Sequence, residues 1–431
     1  MNFDSATLDD YKLQTDGSLE FLFNSIDWDK TLAANCVLQQ GQYLSVAKVV
    51  PLRRAADNRP WALKFLKCDR VGGIFDWRRC CVRLAALQNS DHGQQFSDSD
   101  GASRSALCRH FDGRLEKTIN SKACQYLQKK INAQTLHLLR HTQALQHIAQ
   151  HYAANADFCF VQAIADTKLR NLRYVCHSVA GRSSCFWEEE KQMLAKASLA
   201  LNECESLQFL PRLYVIESWI ESVDTETLFG QRYLLSVGRQ DDWSFRITAA
   251  QKVFAAYRFL HESCRLVHHD VSFANVRFVL ADGADDMRVF VNDFGFSQHL
   301  PPTDTDGNSS RRLCVQFAGS GYFASPQKWE RVPHDDEKDE CFAIGVLVHF
   351  ILYGTLCWPK SVTTIKDMSN LLTKDLKSGS FVPAWNAFVN APNWVNEIVT
   401  KRISKLLSYS ESQRPSMSQI LSDLESGKKP E

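Results

Sequence analysis

Two apolar segments, each bounded by a turn that carries a carboxylate, constrain this chain more than any other feature. In 268-HHDVSFANVRFV-279, Asp270 and Asn275 stand five residues apart ahead of an apolar run. A second run, 288-RVFVN-292, leads into Asp293-Phe294-Gly295, eighteen residues after Asn275. Short apolar runs bounded by turn residues read as buried strands. One turn Asp alone caps a loop or a helix. The joint spacing of two carboxylates and a short amide points to chemistry on a shared centre.

Phosphoryl transfer from ATP needs few parts, because positioning and charge neutralisation do nearly all the work. One carboxylate steers the proton of the attacking hydroxyl, and a second carboxylate with a short polar ligand holds metal ions. A Lys grips the phosphates, and another carboxylate holds that Lys. The quoted stretches resemble the eukaryotic-type protein kinase pattern H-R-D-L-x-x-x-N followed by D-F-G. The resemblance implies Asp270 as catalytic base, Asn275 and Asp293 as Mg²⁺ ligands, and ATP as the phosphoryl donor.

Further segments match in order. In 61-WALK-64, Ala62 and Lys64 share one face of a strand candidate and Lys67 falls on the other. This is similar to the family's V-A-I-K strand, which implies Ala62 against adenine and Lys64 on the phosphates. The resemblance places the holder of Lys64 on a returning helix, at Glu190, with Glu188 and Glu189 as adjacent alternatives. Downstream, 319-GSGYFASPQ-327 resembles the segment closing the activation loop, 340-ECFAIG-345 the start of a buried central helix, and 414-RPSM-417 the Arg-Pro of the last helices. The implied fold is α+β and two-lobed: a small antiparallel-sheet N-lobe with one helix, and a larger, mostly helical C-lobe.

The chain departs from the pattern at auxiliary positions. Of the nucleotide-covering glycines only Gly41 remains in 39-QQGQYLSV-46, with Val46 above the adenine and Tyr43 at the loop tip. His269 replaces an Arg that receives an activation-loop phosphate, and a neutral imidazole offers no bidentate fork. Activity independent of phosphorylation at Thr303, Thr305, Ser309 and Ser310 is therefore expected. Ser272 replaces a Lys, Gln327 a Glu that pairs with Arg414, and Glu340 an Asp that braces the catalytic loop. Ser320, where Ser/Thr kinases carry a Thr, favours Ser or Thr hydroxyls over Tyr.

Texture divides the chain into 1–67 (first N-lobe strands), 68–182 (insertion), 183–238 (Glu helix and remaining strands to the hinge), 239–426 (C-lobe) and 427–431 (tail). Within the insertion, 121–153 is rich in helix formers without Pro or Gly. His137, His141, His147 and His151 fall on one side of that helix. With no Asp, Glu or Cys to complete a ligand set, a solvated or partner-facing helix is the expected role.

Composition excludes several classes. Fifty basic and 49 acidic side chains leave a formal charge of +1, which suggests neither a nucleic acid nor an anionic membrane as partner. The run 341-CFAIGVLVHFILYG-354 is too short to span a bilayer and reads as a buried helix. The polar start and fourteen scattered cysteines without a C-x-x-C pair point to an intracellular protein, cytoplasmic or nuclear, with reduced thiols. The expected partners are a protein substrate and a protein bound by the insertion. The rival readings are a scaffold of kinase fold that binds through the insertion, favoured by the poor glycine loop, and a small-molecule kinase, disfavoured by the terminal Arg-Pro.

Overall fold

The computed structural model describes residues 26–33, 38–40, 44–51, 60–66, 137–138, 140–151, 158–160, 163–166, 214–230, 242–280, 287–300, 312–313, 321–362, 364–386 and 391–427. The chain divides into two compact units. Unit 1 takes residues up to Gln143 and Val161–Trp219, and unit 2 takes Ala144–Phe160 and Ile220 onward.

Unit 1 is built on an antiparallel five-stranded sheet. After a short helix α1 (Trp28–Ala33) come β1 (Leu38–Gln40), β2 (Leu44–Val49) and β3 (Trp61–Leu66). Later in the chain follow β5 (Ala163–Asp166) and β6 (Tyr214–Ser218), and the spatial order is β1-β2-β3-β6-β5. The alternating segments expected at 43–50 and 61–67 are β2 and β3. β3 is the central strand, hydrogen-bonded to β2 on one side and β6 on the other. Trp61, Ala62, Leu63 and Lys64 are all buried, so both faces of β3 are covered. A helix at 140–151 (α2) is also helical at its preceding residues 137 and 138, and the unit boundary falls within it.

Unit 2 is mostly helical. A four-stranded sheet has the order β4-β10-β9-β7, from β4 (Phe158–Phe160), β7 (Val223–Asp224), β9 (Val276–Leu280) and β10 (Met287–Val291), while the short β8 (Leu266–Val267) pairs outside it with Gln298–His299. A short helix α3 (Thr225–Phe229) follows β7, and α4 (Trp243–Arg258) begins where Asp242 accepts from the Phe245 N–H at 3.0 Å. A π-helical turn, Phe259–Ser263, extends α4. The apolar run sits inside α6 (Asp336–Tyr353), which follows the short α5 (Pro326–Glu330).

Helix α6 explains itself from its sequence. Asp335 accepts from the N–H groups of Glu337 and Lys338, and acidic residues in the first turn favour the helix dipole. The helix ends at Gly354, whose φ of 68° suits glycine. Nearly every side chain between is buried, so the apolar run packs within unit 2. A Cβ at Gly345 would lie 2.7 Å from Leu406 Cβ, so this glycine lets the Ile403–Leu407 turn approach closely. Among the described residues no helix is long and apolar enough to cross a membrane.

The boundaries differ from those expected. Helix α2 and strands β4 and β5 fall inside the span 68–182, yet β5 pairs with β6 and β4 pairs with β10. Their apolar residues are consumed by these sheets, so the span is not one continuous insertion. The passage between units falls at Trp219–Ile220 and not at 238, because β7 pairs with β9 of unit 2. The helix expected at 186–201 and the strand at 232–238 lie outside the described residues.

Candidate functional site

In unit 1 the chemistry gathers on Lys64. In the β3–β6 ladder Lys64 faces Val215 and Ala62 faces Glu217, which makes Glu217 a diagonal neighbour of Lys64 on the same face of the sheet. Lys64 Nζ lies 3.1 Å from Glu217 Oε2 and 3.2 Å from His141 Nε2 of α2. His141 Nε2 also makes a short hydrogen bond to Glu217 Oε1. All three side chains are buried. Burial opposes ionisation of Glu217, but Lys64 and His141 outweigh it and hold the carboxyl below its ordinary range.

In unit 2 the opening motif forms one hydrogen-bonded loop. Asn275 Nδ2 donates to both the carbonyl and the Oδ2 of Asp270, each at 2.9 Å. His268 Nε2 donates to the Asn292 carbonyl at 2.9 Å and its Nδ1 accepts from the Asp270 N–H at 3.1 Å. Both ring nitrogens of His268 are thereby engaged, in one neutral tautomer. Its ring meets Phe294 edge-on, with centroids 4.9 Å apart. The Asn292 N–H donates to the Asn275 carbonyl at 2.9 Å, so the turns bearing Asn275 and Asp293 are neighbours. Asp293 itself sits at φ 63°, a left-handed conformation that Asp tolerates, and accepts from the Gly295 N–H. The Asn275 amide nitrogen is committed to Asp270, and Asn275 Oδ1 and the Asp293 carboxylate are oxygens of the kind that Mg²⁺ takes.

A buried polar layer braces this loop. Glu340 Oε1 accepts from the His269 N–H at 2.7 Å, and Oε2 bonds His261 Nε2 at 2.6 Å. The π-helical turn that carries His261 brings its ring to Glu340. The bracing expected of Glu340 is thus observed, with the longer side chain spanning two partners. Lys328 pairs with Asp339 at 2.6 Å, and Ser325 donates to the other Asp339 oxygen at 2.5 Å. His269 is buried with φ 64°. Burial, joined by the nearby Lys328, lowers its pKa to about 4 against the opposing pull of Asp336, Glu340 and Asp339. A group in that state is neutral at physiological pH and cannot serve as a cationic phosphate receptor. Arg414 donates to Gln327 Oε1 at 2.6 Å, a hydrogen bond to a neutral acceptor in place of an ion pair.

The predicted residues distribute over both units. Lys64, Ala62 and Val46 belong to unit 1, where Val46 is the register partner of Lys64 and Ala62 shares its face. Asp270, Asn275 and Asp293 belong to unit 2. Gly41, Tyr43, Ser320, Lys67 and Glu190, with Glu188 and Glu189, lie outside the described residues. The sequence reading named His141 only as one of four helix histidines and did not single out Glu217. The available signal was a lone charge in the apolar strand 213-LYVIESW-219.

The His-bearing helix is not simply solvated. His137 and His141 are buried, and His147 bonds the Cys264 carbonyl at 2.7 Å. Only His151 is exposed among the four. Its apolar companions Ala144, Leu145 and Ile148 are buried too, so hydrophobic burial fixes the face and the histidines find partners inside. Among the described residues no group of three or more His, Cys, Asp or Glu side chains is placed to hold a metal ion.

Comparison with known proteins bears on this geometry. A family model described as a protein kinase domain matches residues 225–424, a span within unit 2 that contains Asp270, Asn275 and Asp293 but not Lys64, His141 or Glu217. Testis-specific serine/threonine-protein kinase 3 of Homo sapiens and its counterpart in Mus musculus are each 28% identical to this chain over 131 residues. The alignment takes in 30% of this chain and 42% of each relative, so the chain spans less than half the length of the curated relatives it matches.

Proposed function

We propose that this chain, which belongs to the eukaryotic protein kinase superfamily through the domain at residues 225–424, transfers the γ-phosphoryl group of ATP to Ser or Thr hydroxyls of a protein. The observation that carries the reading is the Asp270–Asn275 pair, bonded at 2.9 Å on a loop braced from beneath by Glu340. A substrate hydroxyl oxygen bonds to the γ-phosphorus as the bond to the β–γ bridging oxygen breaks and ADP leaves. Asp270 takes the hydroxyl proton. Asn275 Oδ1 and Asp293 would hold Mg²⁺, which would supply charge neutralisation on the phosphates. The resemblance of 61-WALK-64 assigns Lys64 the phosphate-gripping part. The preference for Ser and Thr is supported by Ser320 and by the serine/threonine specificity in the relatives' names.

The test incubates wild type and Asp270→Asn with labelled ATP, Mg²⁺ and a generic basic protein. Label on Ser or Thr from wild type alone is the expected result. Equal label from both variants overturns the assignment of Asp270. No transfer by either, with no rise in melting temperature on adding ATP and Mg²⁺, overturns the reading in favour of a binding module.

A further inference from the structure

The resemblance asks for a carboxylate on Lys64, and the described residues bring a strand carboxylate to it. The ammonium of Lys64 is buried, so it requires an anion held close by. Among the described residues Glu217 supplies that anion, from the neighbouring strand. The ladder from Trp61↔Ser218 to Phe65↔Tyr214 sets the spacing of the two side chains. Helix α2 contributes a histidine, whose Nε2 reaches both the ammonium at 3.2 Å and the carboxylate.

We propose that Glu217 and His141 together form the clamp that positions Lys64 on the nucleotide phosphates. Glu217 is the counter-ion and His141 the bracket that orients it. The proposal rests on the reading of Lys64 as the phosphate-gripping residue. Because two hydrogen-bonded strands carry the Lys and its carboxylate, a shift of α2 releases only the histidine bond. The ion pair stays assembled. Loss of Glu217 should accordingly matter more than loss of His141.

Titration calorimetry with MgATP tests this on the full chain, with the KM for ATP and kcat measured on the same samples. Glu217→Gln should weaken MgATP binding about tenfold or more, because it removes a charge-assisted contact that orients the ammonium. His141→Gln should weaken it by only about threefold. Glu217→Gln combined with His141→Glu returns a carboxylate to within reach of Lys64 from the helix side. This double variant should recover affinity to within about threefold of wild type. Such rescue would not follow if Glu217 merely stabilised the sheet.

Wild-type affinity in Glu217→Gln overturns the clamp, as does failure of the folded double variant to recover. If Glu217→Gln does not fold, His141→Gln decides: an unchanged KM for ATP overturns the role of the histidine bracket. Wild type that binds MgATP without transferring phosphoryl overturns the proposed reaction while the binding series still supports the clamp. Wild type that binds no MgATP overturns both.

Discussion

The half-buried Asp270–Asn275 loop of unit 2 and the buried Lys64 cluster of unit 1 are assembled over different distances along the chain. Asp270 meets Asn275 five residues away and His268 two residues away. Lys64 meets His141 across 77 residues, and His141 meets Glu217 across 76. A loop that satisfies its own hydrogen bonds depends on the identity and order of adjacent residues. A clamp built across strands and a helix depends on register, and any side chain that reaches the ammonium with the right charge will serve. The first kind of site keeps a motif. The second can exchange its residues while preserving its electrostatics.

The sharpest way to break this comparison is at the loop itself. Asp270→Asn keeps the shape of the side chain and its acceptor oxygen while removing the proton-accepting charge. Phosphoryl transfer should fall about 10³-fold, within the usual range for loss of a general base. The MgATP affinity should change far less. A fall in affinity matching the fall in rate would mean that loop and clamp do not divide the work in this way.

The bracing layer beneath the loop should carry the next largest effect, on stability. Lys328 and Asp339 form a buried ion pair at 2.6 Å. Burial favours the neutral acid, yet Lys328 and His334 hold the Asp339 pKa down to about 2 from its ordinary 3.8. The contribution of Asp339 is therefore complete above pH 3.8 and is lost as the pH falls toward about 2. Asp339→Asn leaves a buried ammonium without its anion and should destabilise the protein by about 3–5 kcal/mol. Denaturant unfolding at neutral pH measures this directly. A loss under about 1 kcal/mol would show that the loop does not depend on the layer.

How much was legible follows the same division. The strands at 61–66 and 287–291, the buried helix around 341–354 and the hydrogen-bonded loop from Asp270 to Asn275 are written in local pattern. So was the hydrogen bond between Gln327 and Arg414, because Gln offers an oxygen but no charge. The partner of Lys64 was not legible. Nothing adjacent to Glu217 announces that β6 will lie beside β3, and His141 looked like one of four histidines on a wheel. Periodicity gave the face of that helix but not what the face would bury. The span 68–182 read as an insertion because its helix and strands are separated from their sheet partners by long stretches of chain. Pairing at such separations is a property of the fold, not of the local pattern.

A pH titration sharpens the account of His269. In the unfolded chain this histidine takes up a proton near pH 6.5, whereas in the fold it resists protonation until about pH 4. Stability should fall as pH drops between these values, by at most about 3 kcal/mol, and level off for this group below them. The charged groups around the ring are Lys328, Asp336, Glu340 and Asp339. The opposite slope of His261, whose pKa is raised because Glu340 overcomes its burial, makes the comparison with a variant necessary. His269→Asn tolerates the positive φ and removes the titration. The difference between the two melting curves should shrink below pH 6.5, as wild type loses stability that the variant keeps. Parallel curves would place His269 in contact with solvent.

The smallest effect is expected where a charged residue at position 269 would have produced a large one. An arginine there offers a phosphorylated activation loop a fixed bidentate partner. His269 is buried, neutral and directed among Asp336, Lys328 and Glu340, so a phosphate on the loop gains no cation from it. Simultaneous replacement of Thr303, Thr305, Ser309 and Ser310 by Ala should then leave kcat/KM within about threefold of wild type, a change of under 1 kcal/mol. The same four-site variant in a His269→Arg background separates position from chemistry. If activity becomes sensitive to the loop only when Arg is present, the histidine is what frees the catalytic loop from phosphate control. If the four alanines abolish activity with His269 in place, the phosphate is read by another cation and the local loop depends on distant residues as much as the clamp does.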